Sequence, residues 1–173
     1  KEYFDTKDQA LWDKGYLIRL SKKDASERVN LTIKSIHLDA MRTLATPLMV
    51  AGSIKRVTEA EDNVGFGPDG QLGSYIEKGV SFSIEAGALG RMTLADFGKF
   101  MPELLTLSVP AETPLQSHKV TVAQYKPGAL MLPGFNKPCE VALEAWSPAE
   151  GGTPILYDIS YGYDGVDFYA EGA

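Results

Sequence analysis

Tyr16-Leu17-Ile18-Arg19-Leu20, a polar run over residues 21–27, then Val29-Asn30-Leu31-Thr32-Ile33-Lys34-Ser35-Ile36: these residues set the architecture of the chain. Two segments rich in β-branched residues flank a turn of Ser, Lys, Asp and Glu, which is the pattern of an antiparallel hairpin. Successive side chains of a strand point to opposite faces, so Val29, Leu31 and Ile33 share one side while Asn30, Thr32 and Lys34 share the other. Outward from the hairpin, similar segments recur at residues 54–61, 80–86, 119–125, 140–146 and 155–163. Turn residues punctuate them at Pro68-Asp69-Gly70, Lys126-Pro127-Gly128, 148–152 and Asp164-Gly165. Helices are few. Residues 5–14 predict a short one with Ala10 and Leu11 inward. Residues 93–101 predict another, with Thr93 as N-cap, Asp96 in the first turn, and Leu94, Phe97 and Met101 on one face. Residues 38–50 form a weaker helical pattern interrupted by Pro47. The expected fold is mainly β, an antiparallel closed or nearly closed barrel with a few flanking helices, in one domain over residues 1–173. Closure would remove exposed edges.

Composition narrows the function classes. The chain has 173 residues, 17 basic against 23 acidic, and a net charge of −6. Such an acidic balance disfavours a nucleic-acid partner, whose phosphates need clustered Lys and Arg. A single cysteine, Cys139, excludes an internal disulfide and a zinc site of several thiolates. No apolar run has the roughly 18–20 residues needed to span a bilayer, and no signal-peptide pattern opens the sequence at Lys1, so no membrane partner and a cytoplasmic location are expected.

Charged residues sit in the middle of several well-patterned strands. Arg19 alternates with Leu17 and Ser21, Lys34 with Asn30 and Thr32, Arg56 with Ile54 and Thr58, and Lys119 with Thr121 and Ala123. Glu140, Ala142 and Glu144 share a face. On an open sandwich these faces would meet water. On a closed sheet they would line a polar interior, where cations neutralise phosphate oxygens and carboxylates hold Mg²⁺ or Mn²⁺.

Residues 1–19 carry Tyr3-Phe4-Asp5-Thr6, Asp8, Leu11, Gly15 and Arg19, and the following strand carries Leu31-Thr32-Ile33-Lys34. These resemble the YFDT-x-D-x-x-L-x-x-x-G-x-x-L-R segment and the LTxK strand of the CYTH family, the triphosphate tunnel metalloenzymes. The likeness covers about the first forty residues and is looser at Lys119-Val120-Thr121 and Cys139–Glu144. It implies a barrel-shaped tunnel and metal-dependent hydrolysis of a triphosphate-bearing small molecule or short polyphosphate. Arg19, Lys34, Arg56 and Lys119 would grip phosphates. Glu140 and Glu144 would hold Mg²⁺ or Mn²⁺, with Glu59 and Glu61 as weaker candidates because alternation sets them opposite Arg56. The sequence departs from the family pattern in three places. No Glu-x-Glu-x-Lys precedes Tyr3, Thr121 stands where a second cation is usual, and Ala142 separates Glu140 from Glu144. These departures leave a second expectation open, an inactive barrel that binds an anionic ligand or a protein partner.

Other signals read as structural. Gly65-Phe66-Gly67-Pro68-Asp69-Gly70 matches a dinucleotide string but contains proline and lacks a surrounding parallel unit. His37 and His118 have no motif partner, and Cys139 reads as a small buried residue. Tyr157, Ile159, Tyr161 and Tyr163 form a stripe expected to pack within the sheet.

Overall fold

The structure, a computed structural model, describes residues 1–22, 27–52, 54–66, 70–131, 137–148 and 152–162. Backbone contacts divide the chain into two compact units, Lys1–His118 and Lys119–Ala173.

The first unit is built on a six-stranded sheet in the order β4-β5-β3-β2-β1-β6. Its strands are β1 (Glu2–Asp5), β2 (Tyr16–Ser21), β3 (Arg28–Ile36), β4 (Arg56–Phe66), β5 (Leu72–Glu85) and β6 (Gln116–Lys119). The ladders β1–β2, β2–β3, β3–β5 and β4–β5 are antiparallel. The expected hairpin of β2 and β3 forms, with Ile18 opposite Ile33 and Leu20 opposite Leu31. Among the described residues no ladder joins the outer strands β4 and β6. No described helix is long and apolar enough to cross a membrane.

One face of this sheet is the core. Ile18, Leu31, Ile33, Val80, Phe82 and Ile84 are buried there, each such side chain contributing about 1.5–3 kcal/mol on leaving water. Helix α3 (Leu94–Gly98) supplies buried Leu94 and Phe97 to the same core, and Met101 follows just beyond it. Phe97 lies 5.3 Å from Phe4 between ring centroids. A 3-10 turn (Pro102–Thr106) follows, with proline at its first position. The start of α3 is held by a reciprocal box. The Thr93 hydroxyl accepts from Asp96 N, and the Asp96 carboxylate accepts from Thr93 N at 3.1 Å. That carboxylate also accepts from Arg91 N at 3.1 Å and from Lys99 Nζ at 2.6 Å.

The Lys99 ammonium, together with the Thr93 backbone donor, holds the Asp96 carboxyl well below the usual carboxylate range. A carboxylate depressed in the folded state binds its proton first in the unfolded chain. Its stabilisation is therefore complete above the unfolded value of about 3.9 and lost as pH falls below it. Denaturation midpoints measured from neutral pH downward should fall more steeply below pH of about 4 in the wild-type chain than in Asp96→Asn. Equal acid slopes would contradict the assignment.

The other two helices are short. Helix α1 (Ala10–Asp13) is tied to the end of β1: Asp5 accepts from Leu11 N at 2.9 Å and Trp12 N at 3.0 Å, and Thr6 Oγ1 accepts from Ala10 N at 2.8 Å. Gly15 then turns with φ +78° against the His37 ring, which a Cβ at that position would meet at 2.1 Å. Helix α2 (Ala40–Ala45) is N-capped by Asp39 and ends before Pro47. Lys78 reaches its last carbonyls, donating to Leu44 O and Thr46 O at 2.9 Å.

The second unit is a three-stranded antiparallel sheet, β7-β8-β9 (Thr121–Leu130, Cys139–Ser147, Leu156–Gly162). Cys139 is buried, as expected. Two expectations change in this unit. Lys126-Pro127-Gly128 does not turn the chain: it lies inside β7, where the register with β8 shifts between Tyr125 and Gly128. A proline and a glycine at φ +135° fit a bulge as readily as a turn. The described part of the stripe on β9 is not packed: Tyr157 and Ile159 are 73% and 61% exposed on a strand that, among the described residues, pairs with β8 alone. The Tyr161 side chain, Tyr163, residues 67–69, 149–151 and 164–165 lie outside what is described.

Candidate functional site

Residues that face each other across an antiparallel ladder point to the same side, so the register builds the face opposite the core row by row. Arg19 pairs with Thr32, Thr32 with Ser81, and Ser81 with Val57. In the next row Lys34 pairs with Gly79 and Gly79 with Glu59; in the row beyond, Glu77 pairs with Glu61. These rows enclose a cleft of about 260 Å³ lined by Arg19, Thr32, Lys34, Glu59, Glu61, Glu77, Gly79 and Ser81. Gly79 brings no side chain to its floor, which the Lys34 stem covers, 3.4 Å from where a Cβ would stand.

Charge is distributed unevenly along the cleft. At one end Arg19 Nη2 stands 3.5 Å from Thr32 Oγ1, and the Thr32 and Ser81 hydroxyls are 2.9 Å apart. Arg19 Nε is buried with no hydrogen-bond partner among the described residues. Leaving such a donor unpaired costs about 1–3 kcal/mol. At the other end Glu61 and Glu77 face each other directly, an arrangement that repels unless a cation intervenes. Lys34 is that cation: Nζ lies 3.4 Å from Glu61 Oε2 and contacts Glu77 Oε2. Burial acts against the Lys34 ammonium, but the hydrogen bond and charge of Glu77, with the charge of Glu61, outweigh it and raise its pKa.

The residues singled out from the sequence divide between places. Arg19, Lys34, Glu59 and Glu61 share the cleft. Arg56 does not line it: it has the opposite parity on β4 and lines an adjoining recess of about 730 Å³ with Arg28, Lys55 and Phe82. Lys119 ends β6 with its side chain exposed. Glu140 and Glu144 belong to the second unit, where they accept from Lys126 Nζ at 3.0 Å and Gln124 Nε2 at 2.7 Å. Glu77 and Ser81 escaped the sequence reading, although positions 77, 79 and 81 continue the alternation of β5 towards its start.

The carboxylates do not form a ready site for Mg²⁺ or Mn²⁺. Among the described residues no three His, Cys, Asp or Glu side chains are grouped to hold a metal ion, and Glu61 and Glu77 are already engaged by Lys34. What the cleft offers is a buried guanidinium donor beside two hydroxyls, suited to a small oxyanion. Compared with family models, with curated proteins and with solved structures, the chain matches none.

Proposed function

We propose that the cleft on the six-stranded sheet binds the phosphate end of a small phosphate-bearing molecule, a triphosphate or short polyphosphate among them. The observation that carries this reading is the buried, unpaired Arg19 Nε beside the Thr32–Ser81 hydroxyl pair. A phosphate oxygen arriving there would accept from the guanidinium and from a hydroxyl, interactions that are strong when desolvated. The sheet would then be one wall of a triphosphate-tunnel type of barrel. Binding without turnover fits the residues better than hydrolysis, because Glu61 and Glu77 are committed to Lys34 and, among the described residues, no three His, Cys, Asp or Glu side chains are grouped for a metal.

Titration calorimetry with inorganic tripolyphosphate tests the reading on the purified chain and on Arg19→Gln. The wild-type chain should bind without added metal, and Arg19→Gln should bind at least about tenfold more weakly. Equal binding in the two, or none in either, would count against the site. Phosphate release in the presence of Mg²⁺ or Mn²⁺, abolished in Lys34→Ala, would replace binding alone with hydrolysis.

A further inference from the structure

The cleft adjoins the larger recess, and both are lined by Ser81 and Glu59. At about 260 Å³ the cleft has room for a phosphate group. The recess, at about 730 Å³, falls within the roughly 300–1,000 Å³ that organic ligands occupy. Val57 follows Ser81 in the same row and is 55% exposed, an apolar surface directly beside the two hydroxyls. Lys55 and Glu59 lie two residues to either side of Val57, and alternation puts all three on one side of the chain. The outer strand thus presents an exposed carboxylate, an apolar residue and then an exposed ammonium. Lys55, and Arg56 which also lines the recess, have no hydrogen bond or ion pair among the described residues, whereas Arg28 is held by Glu85 and Ser83.

We infer that the ligand is an organic phosphate with a carboxylate at its far end: the phosphate on Arg19, Thr32 and Ser81, the carbon skeleton across Val57, and the carboxylate on Lys55 with Arg56 beside it. This rests on the phosphate reading of the cleft and adds the body of the ligand and its direction. Charge sets the direction. Turned towards Lys55, the acid group meets an unpaired cation; turned towards Glu59, it meets a like charge. Geometry sets the length. Val57 is one strand across from Ser81, about 4.8 Å, and Lys55 is two residues farther along, about 6.8 Å, so the two Cα positions Ser81 and Lys55 lie about 8 Å apart. A skeleton of about six carbons reaches that far. Because Lys55 and Arg56 are exposed, their contribution is modest and screened by salt.

The experiment titrates the chain at low ionic strength with 6-phosphogluconate and with sorbitol 6-phosphate, which carries a hydroxymethyl group in place of the carboxylate. Tripolyphosphate serves as the phosphate control. The phosphogluconate should bind at least about threefold more tightly than the sorbitol phosphate, a preference that shrinks as salt is raised. Lys55→Gln should erase the preference while binding sorbitol 6-phosphate within about twofold of the wild-type chain, which also shows that the variant is folded. Equal binding of the two sugar phosphates by the wild-type chain overturns the inference and leaves the phosphate site standing. A preference that persists undiminished in Lys55→Gln also overturns it, because the carboxylate then lies elsewhere. Failure of both sugar phosphates and of tripolyphosphate removes the phosphate site itself, and this inference with it.

Discussion

Phe97→Ala should lose about 3–5 kcal/mol of unfolding free energy, the largest effect expected of any single truncation in this core. Phe97 is completely buried and sits against Phe4 of β1 and the apolar face of the large sheet. Truncation removes the transfer energy of a phenyl group and leaves a void unless the surroundings collapse. Collapse is hindered. The Thr93–Asp96 box fixes the start of α3, and Leu94 N and Ala95 N donate to Thr113 O and Ala111 O on the following segment. Urea denaturation of Phe97→Ala and of the milder Phe97→Leu would measure the cost. A loss below about 1 kcal/mol in the alanine variant would show that the helix moves inward, and that the box is weaker than its geometry suggests.

Asp5→Ala should cost about 2–3 kcal/mol, because one carboxylate closes several backbone donors that would otherwise lack a partner. Asp5 accepts from Thr6 N at 2.6 Å, Leu11 N at 2.9 Å and Trp12 N at 3.0 Å. Two of these lie in the four-residue helix α1, too short to persist without anchoring. Leu11 is fully buried, so release of α1 would also loosen the core. Hydrogen exchange at Leu11 and Trp12 would report the change locally, with faster exchange in Asp5→Ala than in Asp5→Asn, which keeps one acceptor oxygen. Unchanged protection would mean that burial of Leu11 alone holds the helix. The Tyr3-Phe4-Asp5-Thr6 segment is thus a structural anchor, in which Phe4 packs on Phe97 while Asp5 and Thr6 hold α1.

Where the sequence was legible, strict alternation or a cap made it so. Val29, Leu31 and Ile33 against Asn30, Thr32 and Lys34 leave one inward face for β3, and the burial pattern follows it except at Thr32, which is buried on the opposite face. Thr93 and Asp96 mark the start of α3 because their spacing is that of a reciprocal cap. The first half of β5 was hidden. Gly73, Gly79, Glu77 and Lys78 dilute its apolar pattern, and Lys78 spends its length on the end of α2. Strand β6 is exposed throughout and carries no apolar signal.

The grouping of the charged residues is legible only in part. Alternation rightly sets Glu59 and Glu61 opposite Arg56. Which of those two sets joins Arg19 and Lys34 depends on the register of β4 on β5 and of β5 on β3, and a shift of one residue would exchange them. Local periodicity within β4 cannot supply that long-range information.

The irregularity at Tyr125–Gly128 has a consequence for how chains meet one another. Strand β7 ends its sheet, and a flat end strand offers its spare amides and carbonyls to any other extended polypeptide. Pro127 has no amide hydrogen to offer, and the one extra residue on β7 twists the backbone out of line. A second molecule trying to add itself along this margin would find its hydrogen-bond ladder broken midway, so fibril growth from β7 is discouraged while the strand itself stays long.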